Sequence, residues 1–238
     1  MSTPLLSIDR VTKRFAGLVA INNLSIDIQA GEAHGLMGPN GAGKTTLIGV
    51  ISGKYRPEEG SVSFMGGDIT SLSPHTVCRL GITRTHQIPQ PFTHLTVHQN
   101  IAVGAMYGNN MRKSAAMAEV DKVIEIMDLV DKKDVRASDL EALTLKRLEL
   151  ARALATNPKI LLIDEVAAGL TDVEIPRFME ILKRIRSMGI TYIMVEHVLK
   201  VLLKAVERVT VIDRGAKLAE GPPNEVMEDE KVIKAYLG

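Results

Sequence analysis

The chain has 238 residues, 45% hydrophobic and 24% charged, with aromatics scarce at 3% and no Trp. That is enough chain to bury a real core, as one large α/β domain or a core with a subdomain. A net charge of +1 gives no global electrostatic case for nucleic acid, and the single cysteine, Cys78, excludes an internal disulfide and fits a reducing compartment.

The opening MSTPLLSIDR has no basic stretch leading into a long apolar run, so no signal peptide is expected. Leu6 and Ile8, then Leu24, Ile26 and Ile28, alternate as strands do. AHGLMGPNGAGKTTLIGVISG, from Ala33, reads as a short apolar strand, a glycine loop and a helix. Ser61–Phe64 alternates again, and Gly66–Gly67 marks a turn after it. From about Ile88 to Ala155 the character changes. Val120, Ile124 and Met127, with Val123, Ile126 and Val130, stand at helical spacing, and a second helix is expected over Leu145–Ala155. KILLID, ITYIMVE and RVTVID are then three apolar strand candidates alternating with helical stretches, the pattern of a mainly parallel sheet. The longest apolar runs, such as Ile160–Ile163, fall far short of the roughly 20 residues that span a bilayer. The expectation is a soluble α/β core interrupted by a helical insert, divided as 1–87, 88–155 and 156–238, that reaches a membrane only through a partner.

Four features carry chemistry. The strongest is GPNGAGKTT: Gly38, Pro39, Asn40, Gly41, Ala42, Gly43, Lys44, Thr45 and Thr46. It fits G-x-x-x-x-G-K-[ST] and has a strand before it and a helix after it. The glycines let backbone N–H groups turn toward one anion, and the helix N-terminus adds partial positive charge. Lys44 can reach terminal phosphates, and the Thr45 hydroxyl suits Mg²⁺. The second is ILLIDE, an apolar strand ending in Asp164 and Glu165 where α/β sheets present ligands. Asp164 suits a Mg²⁺ position, and Glu165 could polarise a water for attack on a γ-phosphate. Third, Gln87 offers a neutral amide to Mg²⁺ or water. Fourth, His197 stands at the end of the strand in IMVEHV, where an imidazole could contact a γ-phosphate or be a surface histidine at a helix start. The histidines at 34, 75, 86, 94 and 98 show no metal-ligand spacing.

These residues, in this order, resemble the ATP-binding-cassette ATPases over nearly the whole chain. The resemblance implies a P-loop NTPase (RecA-like) core with an antiparallel β subdomain and a helical insert subdomain. It also implies ATP and Mg²⁺ as ligands and hydrolysis coupled to transport. Phe15 in TKRFAG matches an aromatic that stacks on adenine, Gly38–Thr46 the Walker A loop, and Gln87 the Q-loop. Asp164 and Glu165 match the Walker B pair, and His197 the switch histidine. The insert looks like the part that docks on membrane partners. GPNGAGKTTLI, HLTV, RLELARALATNP and the final VIKAYLG look more narrowly like the ATPase subunits of branched-chain amino-acid importers. A second cassette, as hetero- or homodimer, membrane permease subunits and, indirectly, a periplasmic or extracellular solute-binding protein are the implied partners. The implied location is peripheral, at the cytoplasmic face of the cell membrane, without nucleic acid. An exporter cassette and a soluble non-transport cassette ATPase remain alternatives.

One motif departs from the family. Its L-S-G-G-Q signature falls on Leu140, Glu141, Ala142, Leu143 and Thr144, of which only Leu140 fits. Thr171 stands at the family's D-loop aspartate and Val166 at a usual proline. In the family two cassettes sandwich two ATPs, each signature facing the partner's Walker A. Glu141 would place a carboxylate near a phosphate. Ser138 and Glu141 also spell a capping box, so the helix is expected to start early. The expectation is an asymmetric dimer with one working site.

Overall fold

Apolar alternation along the first 28 residues is satisfied by a hairpin. In the computed structural model, which describes residues 3–108, 113–196 and 198–237, β1 (Leu6–Phe15) pairs antiparallel with β2 (Leu18–Ile28). Leu6 stands opposite Ile28, Ile8 opposite Ile26 and Val11 opposite Leu24, and all six side chains are buried. There follow β3 (Ala33–Met37), α1 (Lys44–Ile51), β4 (Glu59–Phe64), β5 (Gly67–Asp68), α2 (Pro74–Leu80) and β6 (Ile82–Arg84). Next come α3 (Val97–Val103), a π-helical turn over Gly104–Gly108, α4 (Lys113–Ile126), α5 (Ala142–Leu154) and β7 (Ile160–Asp164). The chain closes with α6 (Glu174–Ser187), β8 (Thr191–Val195), α7 (Leu199–Ala205), β9 (Arg208–Asp213), β10 (Ala216–Gly221), α8 (Pro223–Glu228) and α9 (Glu230–Leu237).

These elements form two units, Met1–Val77 with Thr191–Gly238, and Cys78–Ile190. The first holds an antiparallel sheet in the order β2-β1-β4-β5 and a run of strands in the order β10-β9-β3-β8. β3 lies parallel to both β8 and β9, while β10 returns antiparallel. Every residue of β3 and β8 is buried, as expected of parallel strands covered on both faces. That burial includes His34, whose Nδ1 lies 2.8 Å from Glu32 Oε1 and whose Nε2 lies 3.0 Å from Thr210 Oγ1. Burial alone would raise the Glu32 carboxyl, but hydrogen bonds from His34, Arg208 and the Gln29 N–H pull it down to about 2. His34 is therefore a satisfied core histidine and not a ligand.

In the second unit β6 and β7 pair in parallel, Ile82 opposite Ile160. Val120, Val123, Ile124 and Met127 of the predicted helical stripe are buried, but Val130 is exposed. The helix ends at Ile126, and the chain turns through Asp128 in the left-handed region (φ 51°), which takes Val130 off the stripe. The second unit therefore takes in β6, β7 and α6 along with the helical stretch. Among the described residues no helix is long and apolar enough to cross a membrane.

Candidate active site

The sequence-predicted residues fall into two groups. Phe15 and Gly38–Thr46 belong to the first unit; Gln87, Asp164, Glu165 and Leu140–Thr144 belong to the second. His197 lies outside the described residues.

The loop Gly38–Gly43 leaves β3 and enters α1, with Gly43 as the N-cap at φ 105°. Two of its glycines are needed for close approach. A Cβ on Gly38 would sit 2.1 Å from the Ile212 carbonyl oxygen, and one on Gly43 would sit 2.3 Å from the Ala20 carbonyl oxygen. Gly41 has open space around it and needs only its positive φ of 80°. The sequence reading gave all three glycines one role, access of an anion to the backbone. The structure shows that Gly38 and Gly43 also let the loop press against neighbouring backbone. Asn40, Gly41 and Thr45 remain exposed. Lys44 is buried, its Nζ donating to the carbonyls of Gly38 at 2.6 Å and Pro39 at 2.9 Å. The ammonium is thus held over its own loop, at the helix N-terminus that attracts anions. Phe15 meets Tyr55 edge-on at 5.0 Å, with Lys13 Nζ 5.2 Å from its centroid, and stays partly exposed. A flat partly exposed ring held at its edge is a suitable stacking platform.

In the second unit the strand end is fixed from below. Asp164 is buried; its N–H donates to Thr85 Oγ1 at 3.1 Å, and Arg84 approaches its carboxylate at 3.5 Å. Glu165 follows with a left-handed backbone (φ 52°), a conformation that costs a non-glycine residue energy and recurs at functional positions. The Gln87 side-chain amide donates a short hydrogen bond to the Glu165 carboxylate. Two residues predicted on separate motifs are therefore one pair.

Sequence reasoning missed what holds the Gln87 loop. Glu149, buried on α5, accepts at Oε1 from the His86 backbone N–H at 3.2 Å and faces His86 Nδ1 at 2.8 Å. Arg152 Nη1 donates to Glu149 Oε2 at 3.1 Å and to the Gln90 carbonyl at 2.6 Å, and its guanidinium lies 5.0 Å from the Phe92 ring. Burial would raise the Glu149 carboxyl, but the His86 hydrogen bond and the Arg152 charge hold it below its ordinary value. The available signal was a glutamate and an arginine at i, i+3 in the otherwise apolar LELARAL, a spacing that puts both on one helix face.

The Leu140–Thr144 stretch forms no glycine loop. Leu140 is extended, Glu141 is the exposed N-cap of α5 with no side-chain cap hydrogen bond, and the helix runs from Ala142, three residues before the expected Leu145. The expected capping box does not form. Ser138 lies in a 3₁₀ turn and donates its hydroxyl to Asp139 at 2.9 Å. A true capping box stands at α3 instead, between Thr96 and Gln99, where both hydrogen bonds are present. At the D-loop position Thr171 donates its N–H and hydroxyl to Glu174 at 2.7 and 2.8 Å, so it serves the start of α6.

Residues 21–168 match the family described as ABC transporter. The chain belongs to the ABC transporter ATP-binding family. Residues 216–238 of this cassette match, separately, a family described as branched-chain amino acid ATP-binding cassette transporter. It is 36% identical to a protein of Archaeoglobus fulgidus described as "probable branched-chain amino acid transport ATP-binding protein LivG", over 98% of this chain and 95% of that one. It is 33% identical to the high-affinity branched-chain amino acid transport ATP-binding protein LivG of Escherichia coli, over 100% of this chain and 99% of that one. The crystal structure of the ADP conformation of MJ1267, an ATP-binding cassette of an ABC transporter, superposes with a TM-score of 0.90 at 30% identity, covering 100% of both chains.

Proposed function

We propose that this cassette hydrolyses ATP to drive an importer of branched-chain or other small amino acids, working as a cassette dimer with separate membrane subunits. The observation that supports this reading most is the Gln87–Glu165 pair beside a buried Asp164, in a chain that also carries an open phosphate loop. The loop amides and Lys44 stabilise charge on the β- and γ-phosphates. Glu165 orients or deprotonates the attacking water, Gln87 hydrogen-bonds that carboxylate, and His197 contacts the γ-phosphate.

The donor set suits Mg²⁺. The Thr45 hydroxyl, the Asp164 carboxylate and the Gln87 amide oxygen are hard oxygen donors, the kind that share Mg²⁺ with substrate phosphates. Among the described residues no group of three or more His, Cys, Asp or Glu side chains could hold a metal by itself. Bound there, Mg²⁺ would neutralise charge on the transferring phosphoryl group.

We propose further that the dimer is asymmetric. Glu141 at the N-cap of α5 puts a carboxylate where the family grips its partner's γ-phosphate. Like charges about 4 Å apart cost on the order of 1–4 kcal/mol at dielectrics between water and a protein surface. This chain's own phosphate loop would work against a partner's intact signature, while the site completed by Leu140–Thr144 would bind ATP weakly or turn it over slowly. The cassette would sit peripherally on the cytoplasmic face of the cell membrane.

The test is uptake of labelled leucine by membrane vesicles carrying this cassette with the membrane subunits that co-purify with it. ATP-dependent uptake that stops when Glu165 is replaced by Gln supports the reading. Co-purification with no membrane protein would favour the soluble cassette, and ATP-driven efflux the exporter.

A further inference from the structure

We infer that the C-terminal helix braces the phosphate loop, with Tyr236 as the positioning residue that sets Gly38 and, through it, Lys44. Gly38 is buried, and both of its backbone polar groups are held by side chains. Its N–H donates to the Tyr236 hydroxyl at 2.8 Å, and its carbonyl accepts from Lys44 Nζ at 2.6 Å. A buried backbone N–H needs a partner, and the sheet does not supply one at this strand end, so a side chain 198 residues away in sequence does.

The helix that delivers the phenol is itself anchored. Val232 of α9 is buried, and the Asp229 carboxylate accepts from the Lys231 N–H at 2.8 Å, capping the helix start. A second tie comes from the same part of the chain: the Gly215 N–H, in the turn between β9 and β10, donates to the Ala42 carbonyl at 2.9 Å. The loop is thus held near both ends by residues of 208–238. That stretch includes the segment that matches branched-chain amino acid cassettes, and the brace gives it a task in nucleotide binding.

The inference rests on Gly38–Thr46 being the nucleotide site. It is tested on the full chain by titrating a fluorescent ADP analogue into the unaltered protein, Tyr236→Phe and Val226→Ala, well below their unfolding temperatures. Tyr236→Phe keeps the ring and removes only the acceptor. Val226→Ala truncates a buried side chain of α8 and reports general loosening. The brace predicts about 5-fold weaker ADP binding for Tyr236→Phe, the worth of one neutral hydrogen bond, and less than about 2-fold for Val226→Ala despite a lower melting temperature. Unchanged or tighter binding by Tyr236→Phe, or an equal loss in Val226→Ala, overturns it. No ADP binding by the unaltered chain would overturn the phosphate-loop reading beneath it.

Discussion

Two segments of this cassette lead into helices, Gly38–Gly43 into α1 and Leu140–Glu141 into α5, and they present opposite chemistry. The first offers exposed backbone, two glycines pressed on neighbouring carbonyls and an ammonium held over the turn. The second offers an extended leucine and an exposed glutamate at the N-cap. A helix N-terminus attracts an anion only when nothing negative already stands there. Helix starts alone therefore do not make phosphate sites; the residues immediately before the helix decide.

The largest effect should come at the acidic strand end, Asp164–Glu165. Glu165→Gln, in a functional dimer, should bind ATP but turn over at least about 100-fold more slowly. Undiminished phosphate release would remove Glu165 from the proposed role of base.

Next, the loop's glycines can be separated. Gly43→Ala places a methyl 2.3 Å from the Ala20 carbonyl and should weaken ADP binding by about 10-fold or more, whereas Gly41→Ala, in open space, bears only backbone strain and should lose about 5-fold or less. Equal losses at both positions would mean that close approach does not shape this loop.

The grip on the Gln87 loop should matter less than Glu165. Glu149→Leu frees the backbone of His86 and leaves Arg152 without its carboxylate, and should lower turnover about 10-fold in the dimer with little change in ADP affinity. Glu149→Gln, which can still accept from His86, should recover most of that. Failure of the conservative variant to recover would point to the charge on Arg152 as the important partner.

Much of this was legible before folding. The glycine loop, the apolar strand ending in Asp164–Glu165 and the burial of β3 and β8 follow from local pattern, because spacing along one strand or helix fixes which face each residue takes. What pattern did not show were contacts between distant residues: Gln87 with Glu165, His86 with Glu149 and Gly38 with Tyr236, separated by 78, 63 and 198 positions. The capping-box motif at Ser138–Glu141 misled because the four-residue pattern describes what a chain can form, and Ser138 is taken up in a 3₁₀ turn instead. The same pattern at Thr96–Gln99 went unread and is realised.

The smallest single change, Glu141→Ser, should raise the ATPase rate of the chain alone by only a few-fold, because Leu143 and Thr144 still deny backbone contact. The most direct test is therefore the ATPase rate of the purified chain, alone and at increasing concentration, before and after Glu141→Ser, Ala142→Gly, Leu143→Gly and Thr144→Gln are made together. An asymmetric cassette predicts slow, non-cooperative turnover by the unaltered chain and at least a 10-fold, cooperative rise in the restored one. Brisk, cooperative turnover by the unaltered chain would contradict it.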